Sequence, residues 1–103
     1  MTNNIIKEVR EVFYLYRRNK LMIENYDYIN KKGDKITIKE LEEYNKYISF
    51  IDKILKQLDK EDRWILKNIF IDNKEKEELN YSISTYYWKL RRASNNFMDF
   101  WKW

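Results

Sequence analysis

The sequence predicts an all-α domain of about five helices, in which a long N-terminal helical hairpin is followed by a C-terminal unit of three helices. The 103 residues include no Pro and one Gly, so the chain has few of the residues that separate strands and form hairpins. Its apolar residues recur at spacings of three and four, as on one face of a helix. A chain of this length is expected to form a single domain, residues 1–103.

The first predicted helix begins at Asn3 or Asn4, either of which can cap it, and runs to about Lys31. Its apolar residues follow a near-heptad spacing. They are Ile5, Val9, Val12, Tyr16, Ile23 and Tyr26, with Ile6 and Phe13 beside them. The pair Gly33-Asp34 is the strongest break in the chain, because glycine readily adopts the positive φ that ends a helix.

The second predicted helix, from about Ile38 to Leu58, follows a capping-box spacing formed by Thr37 and Glu40. Its apolar stripe consists of Leu41, Tyr44, Ile48, Ile51, Leu55 and Leu58. A short loop between two long helices predicts that they pack as an antiparallel hairpin, residues 1–58.

Further apolar residues lie off both stripes, and one helix pair cannot cover them all. They are Tyr14, Leu15, Leu21, Met22, Tyr28, Tyr47, Phe50 and Ile54. We expect the C-terminal helices or a second copy of the protein to cover this surface. The second case predicts a homodimer through the first two helices.

The C-terminal unit, residues 59–103, begins with Asp59 as an N-cap and with acidic residues that complement the helix dipole. The predicted core of this third helix is Ile65, Leu66, Ile69 and Phe70. Asp72-Asn73 is predicted to end it, and Lys74–Leu79 to form a short fourth helix.

The fifth predicted helix follows a turn at Asn80-Tyr81 and runs from Ser82, its cap, to Phe100 or beyond. Its buried stripe is predicted to consist of Tyr86, Leu90, Ala93 and Phe97. The other faces of the helix carry Ser84, Thr85, Tyr87, Trp88, Arg91 and Arg92.

The positive charge of the chain is concentrated near its C-terminus. Residues 59–80 carry five Lys or Arg against seven Asp or Glu, whereas residues 81–103 carry four against one. The whole chain has a formal charge of +4, too mild to indicate binding to phosphates through charge alone. The abundance of Ile, Lys, Asn and Tyr indicates an AT-rich genome, in which the arginines are more informative than the lysines.

Composition argues against catalysis, because the chain has no Cys and no His to serve as nucleophile, general base or metal ligand. The carboxylate pairs Asp59/Asp62 and Glu75/Glu78 have helical spacing, and helix capping explains them. We therefore expect no enzyme activity, no metal and no cofactor. The chain lacks an apolar run of roughly 20 residues and a signal peptide at Met1, so we expect a cytoplasmic protein.

The segment Leu58–Phe97 contains two motifs. Leu58–Leu66 follows the pattern L-x-x-x-D/E-R-x-I-L. The pattern Y-S-x-S-T-x-Y-x-x-L-x-x-A is matched by Tyr81, Ser82, Ser84, Thr85, Tyr87, Leu90 and Ala93. Together they resemble the helix-turn-helix of sigma-factor region 4 and of ArpU-type phage late-gene regulators. The resemblance implies sequence-specific binding to duplex DNA by a transcriptional regulator of bacterial or phage type.

In such proteins the reading helix lies in the major groove with its N-terminal residues at base edges. The resemblance implies that the base-proximal residues are Ile83, Ser84, Thr85 and Trp88. It implies that Lys89, Arg91 and Arg92 contact phosphates or the groove wall, which gives affinity without sequence information. Arg91 can also read guanine, and Tyr87 completes the predicted DNA-binding set.

One departure from those families keeps a second function open. The supporting helix before the turn, Asp72–Leu79, is shorter by about one turn, and its acidic residues would repel phosphates that they faced. The alternative is a protein-interaction module with a degenerate helix-turn-helix. Such a module would dock on RNA polymerase or a phage-assembly component through the surface around Trp88.

Overall fold

The structure of the protein, a computed structural model, describes residues 3–33 and 35–102, and all their side chains except those of Asn3 and Asn4. It contains five α-helices, a π-helical turn and a short 3₁₀ helix, with no strand in the described ranges. The helices are α1 (Asn3–Glu24), α2 (Tyr26–Lys31), α3 (Ile38–Gln57), α4 (Lys60–Leu66) and α5 (Ile83–Trp101). The predicted all-α fold is confirmed. The expected cap at Asn3 or Asn4 and the position of Asp34 lie outside what is described.

The first predicted helix is interrupted at Asn25, which separates α1 from α2. The backbone N–H and the side-chain Nδ2 of Asn25 both donate to the carbonyl of Leu21, at 3.0 and 2.8 Å. With φ −107° and ψ 18°, Asn25 leaves the helical region. The expectation of one continuous helix to Lys31 was therefore wrong at this residue. Gly33 follows α2 with the expected positive φ, 98°.

Helix α3 begins where the sequence predicts, because Thr37 and Glu40 form a complete capping box. The backbone N–H of Glu40 donates to Thr37 Oγ1 at 3.1 Å, and the backbone N–H of Thr37 donates to Glu40 Oε1 at 3.2 Å. Just before this cap, the N–H of buried Ile36 donates to Asn30 Oδ1 at 2.9 Å. The two residues just before α3 are thus hydrogen-bonded to both α2 and α3.

Helix α4 continues into a π-helical turn, Lys67–Ile71. Asn68 Nδ2 donates to the carbonyl of Trp64 at 2.8 Å, and the N–H of Asp72 donates to the carbonyl of Lys67 at 2.8 Å. The wider turn leaves three successive residues, 68–70, buried. The predicted core residues of this helix are all buried: Ile65, Leu66, Ile69 and Phe70. Asp59 occupies the N-cap position without a side-chain capping bond.

The segment between the π-helical turn and α5 is less regular than expected. Asn73 adopts a positive φ of 57°, which ends the helix as the sequence predicts. The predicted fourth helix from Lys74 is a single 3₁₀ helix, Lys76–Leu79. It is anchored at its end by Leu79, which is buried in the core.

Helices α1 and α3 pack against each other, and two tyrosines bridge them. Tyr16 OH donates to Asp52 Oδ1 at 2.7 Å, and Tyr47 OH donates to the carbonyl of Val12 at 3.0 Å. Burial, together with the carboxylate of Asp52, raises the pKa of the Tyr16 hydroxyl. The neutral phenol is therefore the form that stabilises this contact.

One contiguous hydrophobic core joins α1, α3, α4, the π-helical turn and α5. Phe13 lies at its centre, with ring centroids 5.8 Å from Phe70 and 5.1 Å from Phe97. The buried members of the predicted stripes are Ile6, Val9, Val12, Phe13, Tyr16, Ile51, Leu55, Leu58, Tyr86, Leu90, Ala93 and Phe97. The other predicted stripe residues of α1, α2 and α3 are half-buried.

Most of the predicted surplus of apolar surface is not covered by the part of the chain that the structure describes. Ile54 is buried, and Met22 and Tyr47 are half-buried. The exposed residues of this set are Tyr14, Leu15, Leu21, Tyr28 and Phe50.

Phe13→Ala is expected to lower the free energy of unfolding by about 3–5 kcal/mol, because it opens a cavity at the junction of three segments. Urea denaturation followed by circular dichroism measures the loss. The matched control is Tyr14→Ala at the next position, where the side chain is exposed and the cost should stay within about 0.5 kcal/mol. Equal stability of the two variants would show that the aromatic contact is not central.

Candidate nucleic-acid interface

Two features fix the start of α5: the left-handed backbone conformation of Asn80 and the side-chain cap formed by Ser82. Asn80 adopts the left-handed conformation, φ 59° and ψ 28°, a geometry that Asn tolerates better than most residues. Ser82 is the N-cap, and its Oγ accepts the backbone N–H of Thr85 at 3.2 Å. Both features agree with the predicted turn and the predicted helix start.

Helix α5 buries one face and leaves the other open. The buried face is the predicted stripe, which packs into the core. On the open face Ile83 is 65% exposed and Trp88 56% exposed, and Ser84 and Tyr87 are exposed as well. Four of the predicted DNA-binding residues therefore share an accessible surface at the first two turns of the helix.

Thr85 belongs to the cap more than to the open face. Its side chain is half-buried, and its Oγ1 accepts a hydrogen bond from Ser82 Oγ at 2.8 Å. Of the residues predicted to lie near bases, Thr85 is thus the one whose hydroxyl already has a partner within the protein.

Lys89 and Arg92 turn toward α4, where Glu61 holds both of them. Lys89 Nζ lies 3.0 Å from Glu61 Oε2, and Arg92 Nη2 donates to Glu61 Oε1. These hydrogen bonds, that of Lys89 first, lower the pKa of the Glu61 carboxyl from its ordinary 4.5. Their stabilisation is therefore present above about pH 4.5 and is lost as the pH falls through the lowered pKa.

Asp62 lies at this interface and contacts α5, which the sequence motifs do not predict. Its side chain is 2% exposed, and its carboxyl group lies between α4 and α5. Arg92 Nε and Nη2 donate to Asp62 Oδ1 at 3.3 and 3.2 Å, and Asn96 Nδ2 donates to Oδ2 at 2.7 Å. A buried carboxylate needs such partners, so Arg92 and Asn96 position α5 against α4. The i, i+4 spacing of Arg92 and Asn96 is the sequence feature that indicates a shared face of α5 and could have pointed to this contact.

Arg91 lies on the opposite flank of α5, beside α1. Arg91 and Tyr87 line a hollow of about 430 Å³ together with Ile6 and Arg10 of α1. Arg91 Nε is buried and has no hydrogen-bond partner among the described residues. Lys76 Nζ lies 5.8 Å from the centre of the Tyr87 ring. This flank is basic and aromatic. Arg10 belongs to α1, so the spacing of residues along α5 could not predict that it lies here.

A third surface lies where α4 meets the turn before α5. The Trp64 and Tyr81 rings meet edge to face with centroids 6.3 Å apart, and both residues line a hollow of about 390 Å³ with Lys60 and Glu61. Trp64 is exposed and Tyr81 half-buried. This aromatic hollow lies next to the open face of α5, because Lys89 Nζ is 5.5 Å from the Tyr81 ring centre and 5.8 Å from that of Trp88.

Comparison with known proteins finds one curated relative, the uncharacterized protein MG284 homolog of Mycoplasma pneumoniae, which is 39% identical over 57 residues. The matched segment is 55% of this chain and 47% of that protein, so the chain spans about half the length of the relative it matches. No family model matches the sequence, and no solved structure matches it.

Two further properties of the described residues bear on the site. No group of three His, Cys, Asp or Glu side chains lies close enough together there to hold a metal ion. None of the helices there combines the length and the apolar character that a membrane crossing requires.

Arg92→Gln is expected to lower the free energy of unfolding by about 2 kcal/mol, because it removes the charged partner of buried Asp62. Arg91→Gln is the matched control, since Arg91 forms none of the ion pairs seen between described residues. Its effect on stability should stay within about 0.5 kcal/mol. Urea denaturation at pH 7 measures both, and equal losses would contradict a positioning role for Arg92.

Proposed function

We propose that this protein binds duplex DNA in a sequence-specific manner through the N-terminal half of α5, as a transcriptional regulator of bacterial or phage type. The observation that supports the proposal best is the open face of α5, on which Ile83, Ser84, Tyr87 and Trp88 are exposed. The capped start of the helix holds this face in a fixed position. A helix presented in this way fits the major groove, where N-terminal residues contact base edges.

The phosphate contacts are assigned to the flank next to α1. Arg91 and Arg10 carry charges without an acidic partner in the described structure, and Lys76 lies nearby over Tyr87. Lys89 and Arg92 stay in the binding surface, but Glu61 competes with phosphate for both of them. The two flanks of α5, one with Arg91 and the other with Lys89 and Arg92, would thus contact the DNA phosphates on either side of the major groove.

DNA binding is tested by fluorescence anisotropy of a labelled random-sequence duplex at low and near-physiological salt. We expect affinity to fall steeply with salt, and Arg91→Gln to weaken binding and reduce the salt slope by about one. Lys46→Gln, an exposed lysine of α3, is the control with the same change in charge. Absence of binding by the wild-type protein at low salt would overturn the proposal.

Sequence readout is tested on a site selected from a random pool. Trp88→Ala and Ser84→Ala are expected to reduce the preference for that site by about tenfold while the affinity for random duplex changes little. Ser84 is a favourable position because it is exposed and does not form the cap, which is Ser82. Equal losses on both duplexes would assign these side chains to nonspecific contacts.

A second function, a protein-interaction module, is favoured by the aromatic hollow at Trp64 and Tyr81. Trp and Tyr side chains are typical anchors of protein interfaces, and Trp64 is exposed here. Glu61 forms ion pairs with the nearby Lys89 and Arg92, which makes these two cations less available to phosphates. The partner would be RNA polymerase or a phage-assembly component. In that case Trp64→Ala abolishes capture of the protein on immobilised partner, whereas a DNA-binding protein retains its duplex affinity in the same variant.

The uncovered apolar surface supports the proposal of a homodimer through the N-terminal helices. Leu15 is exposed and lines a hollow of about 410 Å³. Its other lining residues are the apolar or aromatic Val12, Tyr47, Met98 and Trp101 and the charged Glu8, Glu11 and Lys102. Phe50 extends this surface, with its ring 5.3 Å from that of Trp101. A dimer would place two α5 helices on half-sites about one DNA turn apart.

Multi-angle light scattering at micromolar concentration is expected to give twice the 13.1 kDa mass of one chain. Leu15→Asp should shift the mass to that of a monomer, because it introduces a charge into the apolar contact. Ile83→Asp, on exposed α5 surface, should leave the mass unchanged. A monomeric wild-type protein would contradict the dimer.

A further inference from the structure

Four basic side chains from four elements of the fold surround one hollow of about 380 Å³. Lys20 comes from α1, Lys56 from α3, Arg63 from α4 and Lys67 from the π-helical turn. None of the residues that line this hollow belongs to α5. It is therefore separate from the surface to which DNA binding is assigned above, and we name it the basic pocket.

The charge in the basic pocket is strongly unbalanced. Asp52 is its one acidic residue, and it leaves an excess of three positive charges in a chain whose formal total is +4. Asp52 Oδ1 also accepts a hydrogen bond from the Tyr16 hydroxyl at 2.7 Å. Charges of one sign around a cleft raise its potential and attract counter-ions.

The four cations form no ion pair with the protein in its described part, where all such pairs join Glu61 or Asp62 to Lys89 or Arg92. Three of the four, the lysines, are exposed at the rim. Lys20 Nζ lies 4.9 Å from the centre of the Tyr16 ring, a contact that orients a cation without neutralising it.

Arg63 gives the basic pocket a fixed element. Its Nη2 donates to the carbonyl of Leu58 at 3.1 Å, and its Nε is buried without a hydrogen-bond partner among the described residues. A half-buried guanidinium with one nitrogen hydrogen-bonded to the protein keeps its other N–H donors in a rigid plane. Such an arrangement suits the several oxygens of a phosphate group.

We propose that the basic pocket binds clustered phosphate groups. Two sources have this chemistry: a free polyphosphate, including the phosphate chain of a nucleotide, and the backbone of a nucleic acid. The excess of three charges matches several neighbouring phosphates better than one monovalent anion. Mutual repulsion of the four cations disfavours the empty pocket, and phosphate binding relieves this repulsion.

The test compares two double variants that remove the same charge. Lys56→Gln with Lys67→Gln removes two of the three lysines at the rim of the basic pocket, whereas Lys39→Gln with Lys46→Gln removes two exposed lysines of α3 that do not line it. Isothermal titration calorimetry with inorganic tripolyphosphate, at constant ionic strength, is expected to show saturable binding. The pocket variant should weaken binding at least tenfold, and the control variant less than twofold.

The second arm identifies the source of phosphate. The backbone of a nucleic acid is the source if two results are found together. The first is that tripolyphosphate fails to bind, and the second is that the pocket variant weakens binding to random duplex DNA at least tenfold more than the control variant does. Equal effects of the two variants in both assays, or no effect in either, overturn the proposal. If Arg91→Gln does not alter DNA binding, the proposed role of the α5 surface fails. The outcome for the basic pocket is not affected, because Arg91 does not line it.

Thermal unfolding separates ligand binding from a structural role. Without ligand, the pocket variant is expected to melt at the wild-type temperature or above it, because two like charges have been removed. Tripolyphosphate should raise the melting temperature of the wild type and of the control variant, but not of the pocket variant. A pocket variant that melts below both other proteins without ligand would show a structural role and overturn the proposal.

Discussion

The packing of Phe13 against Phe70 and Phe97 is the contact on which the rest of the structure depends. Phe13 is completely buried on α1, and its two partners belong to the π-helical turn and to α5. One side chain thereby joins α1 to two separate segments of the C-terminal unit. Because aromatic pairs add stabilisation beyond the area that they bury, this contact sets the position of α5, and hence of its open face, relative to α1.

A second constraint, the buried carboxylate of Asp62, fixes the rotation of α5 about its own axis. By drawing Arg92 toward α4, Asp62 divides the basic residues of α5 into two sets. Arg92 and Lys89 face Glu61, whereas Arg91 faces Arg10 across the hollow beside α1. Two of the four cations of residues 81–103, Lys89 and Arg92, therefore already form ion pairs within the protein. On the other flank, Arg10 of α1 adds a positive charge beside Arg91.

Much of the fold could be predicted because periodicity and caps are local signals. The stripe on α5, the capping box at Thr37 and the cap at Ser82 each depend on residues within one or two turns. At the break at Asn25, the backbone N–H and the side-chain Nδ2 of this residue share the carbonyl of Leu21, and the spacing of apolar residues does not encode such a contact. The Asp62–Arg92 pair and the basic pocket combine segments distant in sequence, so their geometry became visible only once the helices had been placed.

The position of Phe13 also bears on how the chain folds during synthesis. Its aromatic partner on α5 lies near the other end of the sequence, although most contacts in a small helical protein are local. On the ribosome, α1 and α3 can associate early, but their inner faces stay exposed to water until α5 has been made. A nascent chain that ends before α5 is therefore expected to expose an aggregation-prone helical pair, and the core closes only when α5 has been made.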